Sequence, residues 1–228
     1  MLHTLSLLLV LFAASPVAAE PLRVAVAANF RATLEQINSQ FTAASGHSVL
    51  LSSASTGVLA TQARHGAPFH LLLAADVAAP AGLADRGLQA PFCYAVGRLA
   101  LVGGDSTALA DPARSIAIAN PLTAPYGRAA MEVLARPAFA AGAGRKLVRG
   151  NNVVQAYQFW YSGAVDLALV ALSQAGPEAT AIPDDWHAPL EQHALVMAPH
   201  PALDAYLNWL RSDTVRSLIL DAGYHTCP

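Results

Sequence analysis

The sequence predicts an α/β protein built as two lobes joined by two crossovers, with a cleft between them. Three observations carry this reading. Short apolar runs alternate with segments of helical period, the order expected of parallel sheets with right-handed crossovers. Four of those runs end in small or polar residues where a helix begins. Two further apolar runs, near residues 95 and 195, are placed to carry the chain from one lobe to the other and back. The expected division is residues 20–95 for the first part of lobe 1, 96–190 for lobe 2, and 191–228 for the return to lobe 1.

The residues before 20 read as a signal peptide. Residues 5–14 form an apolar block, and Ser15-Pro16-Val17-Ala18-Ala19 supplies the small residues of a cleavage site after Ala19. The block is shorter than the roughly 20 residues a bilayer span needs. Its n-region lacks Lys and Arg, which leaves an uncleaved anchor or a buried strand as the other readings. The signal-peptide reading makes the protein exported and periplasmic.

The first strand is expected over 22–28, followed by Asn29 as a cap. Phe30, Leu34, Ile37 and Phe41 then fall on one helical face. Gly46 ends that helix, and 48–51 is the second strand. Leu51-Ser52-Ser53-Ala54-Ser55-Thr56-Gly57 follows, with a helix expected over 58–65. The third strand is 69–74, ending in Ala75-Asp76, with Asp76 as the cap of a short segment before Gly82. Residues 94–102 read as one long crossing strand. In the second lobe, strand 115–119 leads through Asn120-Pro121-Leu122-Thr123-Ala124-Pro125-Tyr126-Gly127 into helix 128–135. Strand 146–148 leads through Gly150-Asn151-Asn152 into helix 153–161. Strand 165–171 precedes a short helix at Ser173. Residues 177–189, with three prolines, read as a linker. Strand 191–197 returns to the first lobe, and 203–220 reads as one long amphipathic helix.

The chemistry is expected at the four junctions. The first N–H groups of a helix have no partner within it, and the helix dipole adds partial positive charge. A loop of small hydroxyl residues at such a place suits an anion. Asn29 and Ser55/Thr56 supply two such junctions in lobe 1, and Tyr126 and Asn152/Val153 supply two in lobe 2. In open α/β sheets ligands gather at the carboxyl ends of strands, where all four lie.

Composition sets the outer bounds. The chain has 228 residues, 54% hydrophobic and 12% charged, with net charge −2. It carries no basic footprint for nucleic acid. Two cysteines, Cys93 and Cys227, in an exported chain permit one disulfide; two buried free thiols are the alternative. Cys93 opens the first crossover, and Cys227 follows the last helix, which should pack on the first lobe.

Five stretches together resemble the periplasmic molybdate-binding proteins of ABC importers: V-A-V-A-A-N-F (24–30), S-S-A-S-T-G (52–57), G-A-P-F-H-L-L-L-A-A-D (66–76), I-A-I-A-N-P-L-T-A-P-Y-G (116–127) and G-N-N-V-V-Q-A (150–156). The resemblance spans about 22–224. It implies a type II periplasmic-binding-protein fold closing on molybdate or tungstate, with no cofactor, a membrane-embedded ABC permease as partner, and a monomer. By position it implies Ala28 and Asn29 in the first loop, the Thr56 hydroxyl beside Ser55 in the second, and the N–H groups of Tyr126 and Val153 in the third and fourth. Two departures stand out. Many members have Ser where this chain has Asn29, and Tyr where it has Ala171. Asn29 can donate two N–H bonds, which preserves donor capacity; Ser173 or the Tyr126 backbone are candidates to replace the missing tyrosine hydroxyl.

Other readings stay open at this stage. The same clamp could take sulfate or another small anion; phosphate fits less well, because a protonated oxyanion wants an acceptor and no Asp or Glu lies in the four loops. An enzyme is disfavoured: G-x-S-x-G, H-E-x-x-H and P-loop patterns are absent, and the eight histidines lack ligand spacing. A sensor or interaction module that kept the clamp but lost binding is the third reading, kept open by Ala171.

Overall fold

A computed structural model describes residues 20–228; the signal-peptide reading of 1–19 lies outside the described residues. The chain forms two five-stranded sheets. Strand β1 (Leu22–Ala27) runs into a 3-10 turn at Ala28–Phe30 and helix α1 (Arg31–Ser45). Strand β2 (Val49–Ala54) feeds α2 (Thr56–Arg64), and β3 (Leu71–Leu73) feeds the short α3 (Ala78–Ala81). Strands β4 (Phe92–Gly97) and β5 (Leu99–Val102) carry the chain into the second lobe. There β6 (Ile116–Ala119) precedes α4 (Pro125–Leu134), β7 (Leu147–Gly150) precedes α5 (Val153–Tyr161), and β8 (Leu167–Ala171) precedes α6 (Leu172–Ala175). Strand β9 (Thr180–Ala181), β10 (Leu190–Val196), α7 (Leu203–Leu210) and α8 (Asp213–Asp221) complete the fold.

The first sheet has the order β2-β1-β3-β10-β4 and the second β7-β6-β8-β5-β9. Each holds a parallel group flanked by antiparallel strands. The α/β architecture of two lobes joined by two chain passages is therefore present. One passage is at Arg98, between β4 and β5; the other lies between β9 and β10.

The apolar pattern of the sequence explains the cores. Phe30, Leu34, Ile37 and Phe41 all lie buried against β1, β3 and β10, with Tyr206, Leu207, Val215 and Ile219 from α7 and α8 completing that layer. A second layer, from Leu59, Ala60 and Ala63 of α2, covers the other face of the same sheet. The central strands of the second lobe, β5, β6 and β8, are built from Ala, Leu, Ile and Val and are buried throughout, as strands covered on both faces require.

Register places the strand ends side by side. Ala27 pairs with Ala54 and Val26 with Leu73, so the loops after β1, β2 and β3 leave one edge together. Ala119 pairs with Gly150, which does the same for the loops after β6 and β7.

Several sequence expectations need correction. The strand expected over 94–102 is two strands in different sheets, broken at Arg98. The helix expected over 203–220 is two helices, because the Ser212 hydroxyl accepts the Val215 N–H (3.3 Å) and starts a new one. The linker at 177–189 contains β9, which pairs with β5. Asn29 makes no cap bond; it lies inside the 3-10 turn. Helix α2 begins at Thr56 rather than 58, and α4 begins at Pro125, a residue suited to the first helical position. Asp76 does cap the segment after it, accepting the Ala79 N–H (2.9 Å).

Cys93 on β4 and Cys227 are joined in a disulfide, with Cα atoms 6.0 Å apart. The tail it ties is also zipped to β4, where Val96 and His225 exchange backbone hydrogen bonds (2.9 and 2.8 Å).

Candidate functional site

The loops from the two sheets face one another across a small cavity. Ala27, Ala28, Asn29, Ser55, Thr56 and Ala75 form the wall from the first lobe, and Ala124, Pro125, Tyr126, Asn152 and Val153 the wall from the second. All six residues singled out in the sequence, Ala28, Asn29, Ser55, Thr56, Tyr126 and Val153, are brought together here. The free space between the walls is small. No lining residue carries a charge.

Each helix that opens on the cavity aims its first turn at it. Thr56 and Val153 are the first residues of α2 and α5, and Tyr126 is the second of α4. Their N–H groups have no acceptor within their own helix. Asn152 fixes the start of α5 by accepting the Gln155 N–H (3.0 Å), while Gln155 Oε1 accepts the Asn151 N–H (2.6 Å). The dipoles of three helices thus converge on one small volume.

The hydroxyls are placed to donate. Thr56 Oγ1 accepts the Ala75 N–H (2.9 Å), so its own hydrogen is free to point elsewhere. Ser55 Oγ is buried and has no hydrogen-bond partner among the described residues. A buried hydroxyl without a partner costs about 1–3 kcal/mol, which a ligand acceptor would recover.

Contacts between the two lobes surround the cavity. The Gly57 N–H donates to Thr123 O (2.8 Å), and Gln174 Nε2 donates to Ala28 O (2.9 Å). Arg128 of α4 pairs with Asp76 (2.6 Å). A side chain on Gly57 would place its Cβ 3.1 Å from Thr123 Cα, so only glycine permits this approach without a shift. The walls are closed: Asn29, Ser55, Thr56, Tyr126 and Val153 are all buried.

Two side chains near the cavity have partners that the sequence did not suggest. Asn29 lines the cavity, but its Nδ2 donates away from it, to Gln192 Oε1 (3.0 Å) and Tyr224 Oη (3.3 Å). Ser173 does not line the cavity; its hydroxyl bonds to Asn29 O (3.2 Å) and Tyr224 Oη (2.9 Å). Ala171 is fully buried, pairing with Leu99. The residues missed were Gln192, Tyr94 and Tyr224, which gather behind Asn29. Only an unexpectedly polar residue in the middle of an apolar strand, Gln192, hinted at them.

The family profile described as bacterial extracellular solute-binding protein matches residues 22–225. The chain belongs to the bacterial extracellular solute-binding proteins. Two relatives of this solute-binding protein are molybdate-binding proteins ModA. That of Azotobacter vinelandii is 37% identical over 235 residues, covering 94% of this chain and 93% of its own. That of Rhodobacter capsulatus is 34% identical over 238 residues, covering 97% and 94%. The solved structure of the Azotobacter vinelandii periplasmic molybdate-binding protein superposes with a TM-score of 0.83 at 32% identity, covering 91% of this chain and all of that one. The type II solute-binding fold expected from the sequence is the fold of this chain.

Proposed function

We propose that this protein captures molybdate or tungstate outside the cytoplasm and delivers it to a membrane-embedded ABC permease. The observation that carries the reading is the Ser55 hydroxyl: buried, without a partner among the described residues, and on the wall of a charge-free cavity ringed by helix N-termini. Such a site suits an anion that is already fully ionised. It offers donors, and its nearest carboxylate, Asp76, is held by Arg128 and the Ala79 N–H. A protonated oxyanion such as hydrogen phosphate would therefore find no acceptor among the lining side-chain hydroxyls without giving up a donor contact. Neutral donors also avoid the long-range pull on every anion that an Arg would exert. Selectivity then rests on cavity size and fixed hydrogen-bond directions. Ala28, Asn29, Ser55 and Thr56 hold the ligand on one side, and the Tyr126 and Val153 N–H groups on the other. The protein acts as a binding protein rather than an enzyme, and as a monomer.

Isothermal titration with sodium molybdate, tungstate and sulfate tests this. Tight binding of the first two and weak binding of sulfate is the expected result. Sulfate preferred over both would reassign the ligand, and no binding of any of the three would overturn the reading.

A further inference from the structure

The loops that carry Asn29 and Tyr126 meet behind the cavity on one side chain, Gln192 of β10. Gln192 is fully buried, at a bulge where β10 crosses β4. Its Nε2 lies 3.3 Å from Tyr126 Oη. Its Oε1 lies 2.8 Å from Tyr94 Oη and 3.0 Å from Asn29 Nδ2. None of these groups is charged, so hydrogen placement alone decides how they fit.

In this setting the hydrogens do not match the acceptors. Tyr126 Oη accepts from Gln192 Nε2, but its own hydrogen has no acceptor among the described residues. Tyr94 has one hydrogen and two acceptors in range, Gln192 Oε1 and Ala74 O (3.1 Å). A half-turn of an amide exchanges its nitrogen and oxygen at nearly fixed atom positions. Turning Gln192 and Asn29 together lets Tyr126 donate to Gln192 Oε1. Gln192 Nε2 then donates to Asn29 Oδ1 and Tyr94 Oη, Tyr94 donates to Ala74 O, and the Tyr224 hydroxyl, which accepted from Asn29 Nδ2 before the turn (3.3 Å), turns its hydrogen to Asn29 Oδ1. The group set free is Asn29 Nδ2, a donor on a residue that lines the cavity.

We propose that Gln192 is a positioning residue that couples closure of the lobes to the donor face of Asn29. Tyr126 belongs to the second lobe, so its hydroxyl reaches Gln192 only when the lobes are together. A buried hydroxyl hydrogen without an acceptor is costly, and turning both amides supplies one. The same turn gives Asn29 a hydrogen to offer an oxyanion, and an anion in the cavity favours that setting over the one that presents Oδ1. This rests on the anion-capture reading above and adds to it a residue that never touches the ligand.

The test uses the wild-type chain with Gln192→Met, Tyr126→Phe and the double variant. Molybdate affinity is read by calorimetry, and the side-chain amide resonances of Asn29 and Gln192 by ¹H–¹⁵N NMR. Gln192→Met should weaken molybdate binding by about tenfold or more, the scale of one lost hydrogen bond to a charged partner. Tyr126→Phe should weaken it by a smaller factor, and the double variant should be no worse than Gln192→Met alone. In the wild type, molybdate should move the Gln192 amide resonances although that residue lies outside the cavity, and in Tyr126→Phe it should not. A purely structural role would not produce this ligand response. Additive losses, or Gln192 resonances that molybdate leaves in place, would overturn the coupling. Should Gln192→Met fail to fold, Tyr126→Phe and the resonances decide alone. Wild-type protein that gives no heat with molybdate, tungstate or sulfate would overturn the anion reading and the coupling with it; wild-type binding with additive variants would overturn the coupling only.

Discussion

Arg128 and Asp76 stand on opposite lobes, and their side chains meet at 2.6 Å beside the cavity. The pair can exist only with the lobes together, so it biases the closed form. Both side chains keep some solvent contact, 46% for Arg128 and 18% for Asp76, which limits its strength to about 1 kcal/mol. Asp76→Asn retains an acceptor for the Ala79 N–H but loses the charge. Anion affinity should fall by up to about fivefold at low salt, and the loss should shrink at high ionic strength. Calorimetry at two salt concentrations measures both.

The two hydroxyls of the first wall should differ in what their loss does to the ligand-free protein. Thr56 Oγ1 already holds the Ala75 N–H, so Thr56→Ala should lower the melting temperature as well as weaken binding. Ser55 Oγ holds nothing among the described residues, so Ser55→Ala should leave the ligand-free melting temperature unchanged or raise it. Each should weaken anion binding by about 1.5–3 kcal/mol. Ser55→Ala with wild-type affinity would remove that hydroxyl from the site.

Gly97 is the glycine that the hinge requires. A Cβ there would lie 2.1 Å from Tyr126 Oη and 2.6 Å from Gln192 Nε2. Gly97→Ala should therefore destabilise the closed protein by about 1–3 kcal/mol through overpacking. Adding Tyr126→Phe removes the nearer atom and should restore part of the loss. Thermal melts of the single and double variants provide the comparison.

Most of the fold and the ring of cavity-lining residues were legible because they follow from local rules. An apolar strand followed by small polar residues and a helical period marks a ligand-facing junction, and four of those assemble into one cavity. What was not legible depends on the pairing of distant segments. Arg98 breaks the run over 94–102 because the chain leaves one sheet for the other there, and nothing in the apolar pattern marks the step. The direction of the Asn29 amide is set by Gln192 and Tyr224, 163 and 195 residues away. The split at Ser212 was readable, since Ser-Asp is an N-cap signal, but the unbroken apolar period across it masked the stop.

The disulfide gives a prediction of its own. Cys93 and Cys227 are separated by 134 residues, so reduction frees a long loop in the unfolded chain. Stability should fall by roughly 2–5 kcal/mol. Tyr224, three residues before Cys227, donates to Asn29 O (2.8 Å), so the reduced protein should also bind its anion more weakly. Melting curves and titrations with and without reductant check the two effects separately.

Alkaline pH should unfold the protein in a defined window. Burial holds Tyr94 and Tyr126 neutral well above the usual tyrosine range and pushes Tyr224 up to about 12, with hydrogen bonds from Ser173 and Asn29 pulling the other way. The unfolded chain loses these protons first, so it binds fewer than the folded chain above pH 10. The stabilisation is complete below about pH 10 and declines above it, at about 1.4 kcal/mol per pH unit for each tyrosine, the Tyr224 share levelling off near pH 12. Denaturant melts between pH 8 and 11.5 would show a flat region followed by this slope; a decline that begins near pH 8 would contradict it.

The backbone bond from Gly57 to Thr123 O closes the rim directly over the anion-facing turn of α2. Of the residues that line the cavity, only Asn152 keeps more than slight solvent contact, so an ion held there leaves chiefly when that bond and its neighbours part. Its residence time is then governed by how often the rim parts, and an ion bonded to both walls makes that parting rarer the more tightly it is held. Discrimination among ions is then exercised at departure as well as at entry, and whatever levers the rim open controls the moment of release.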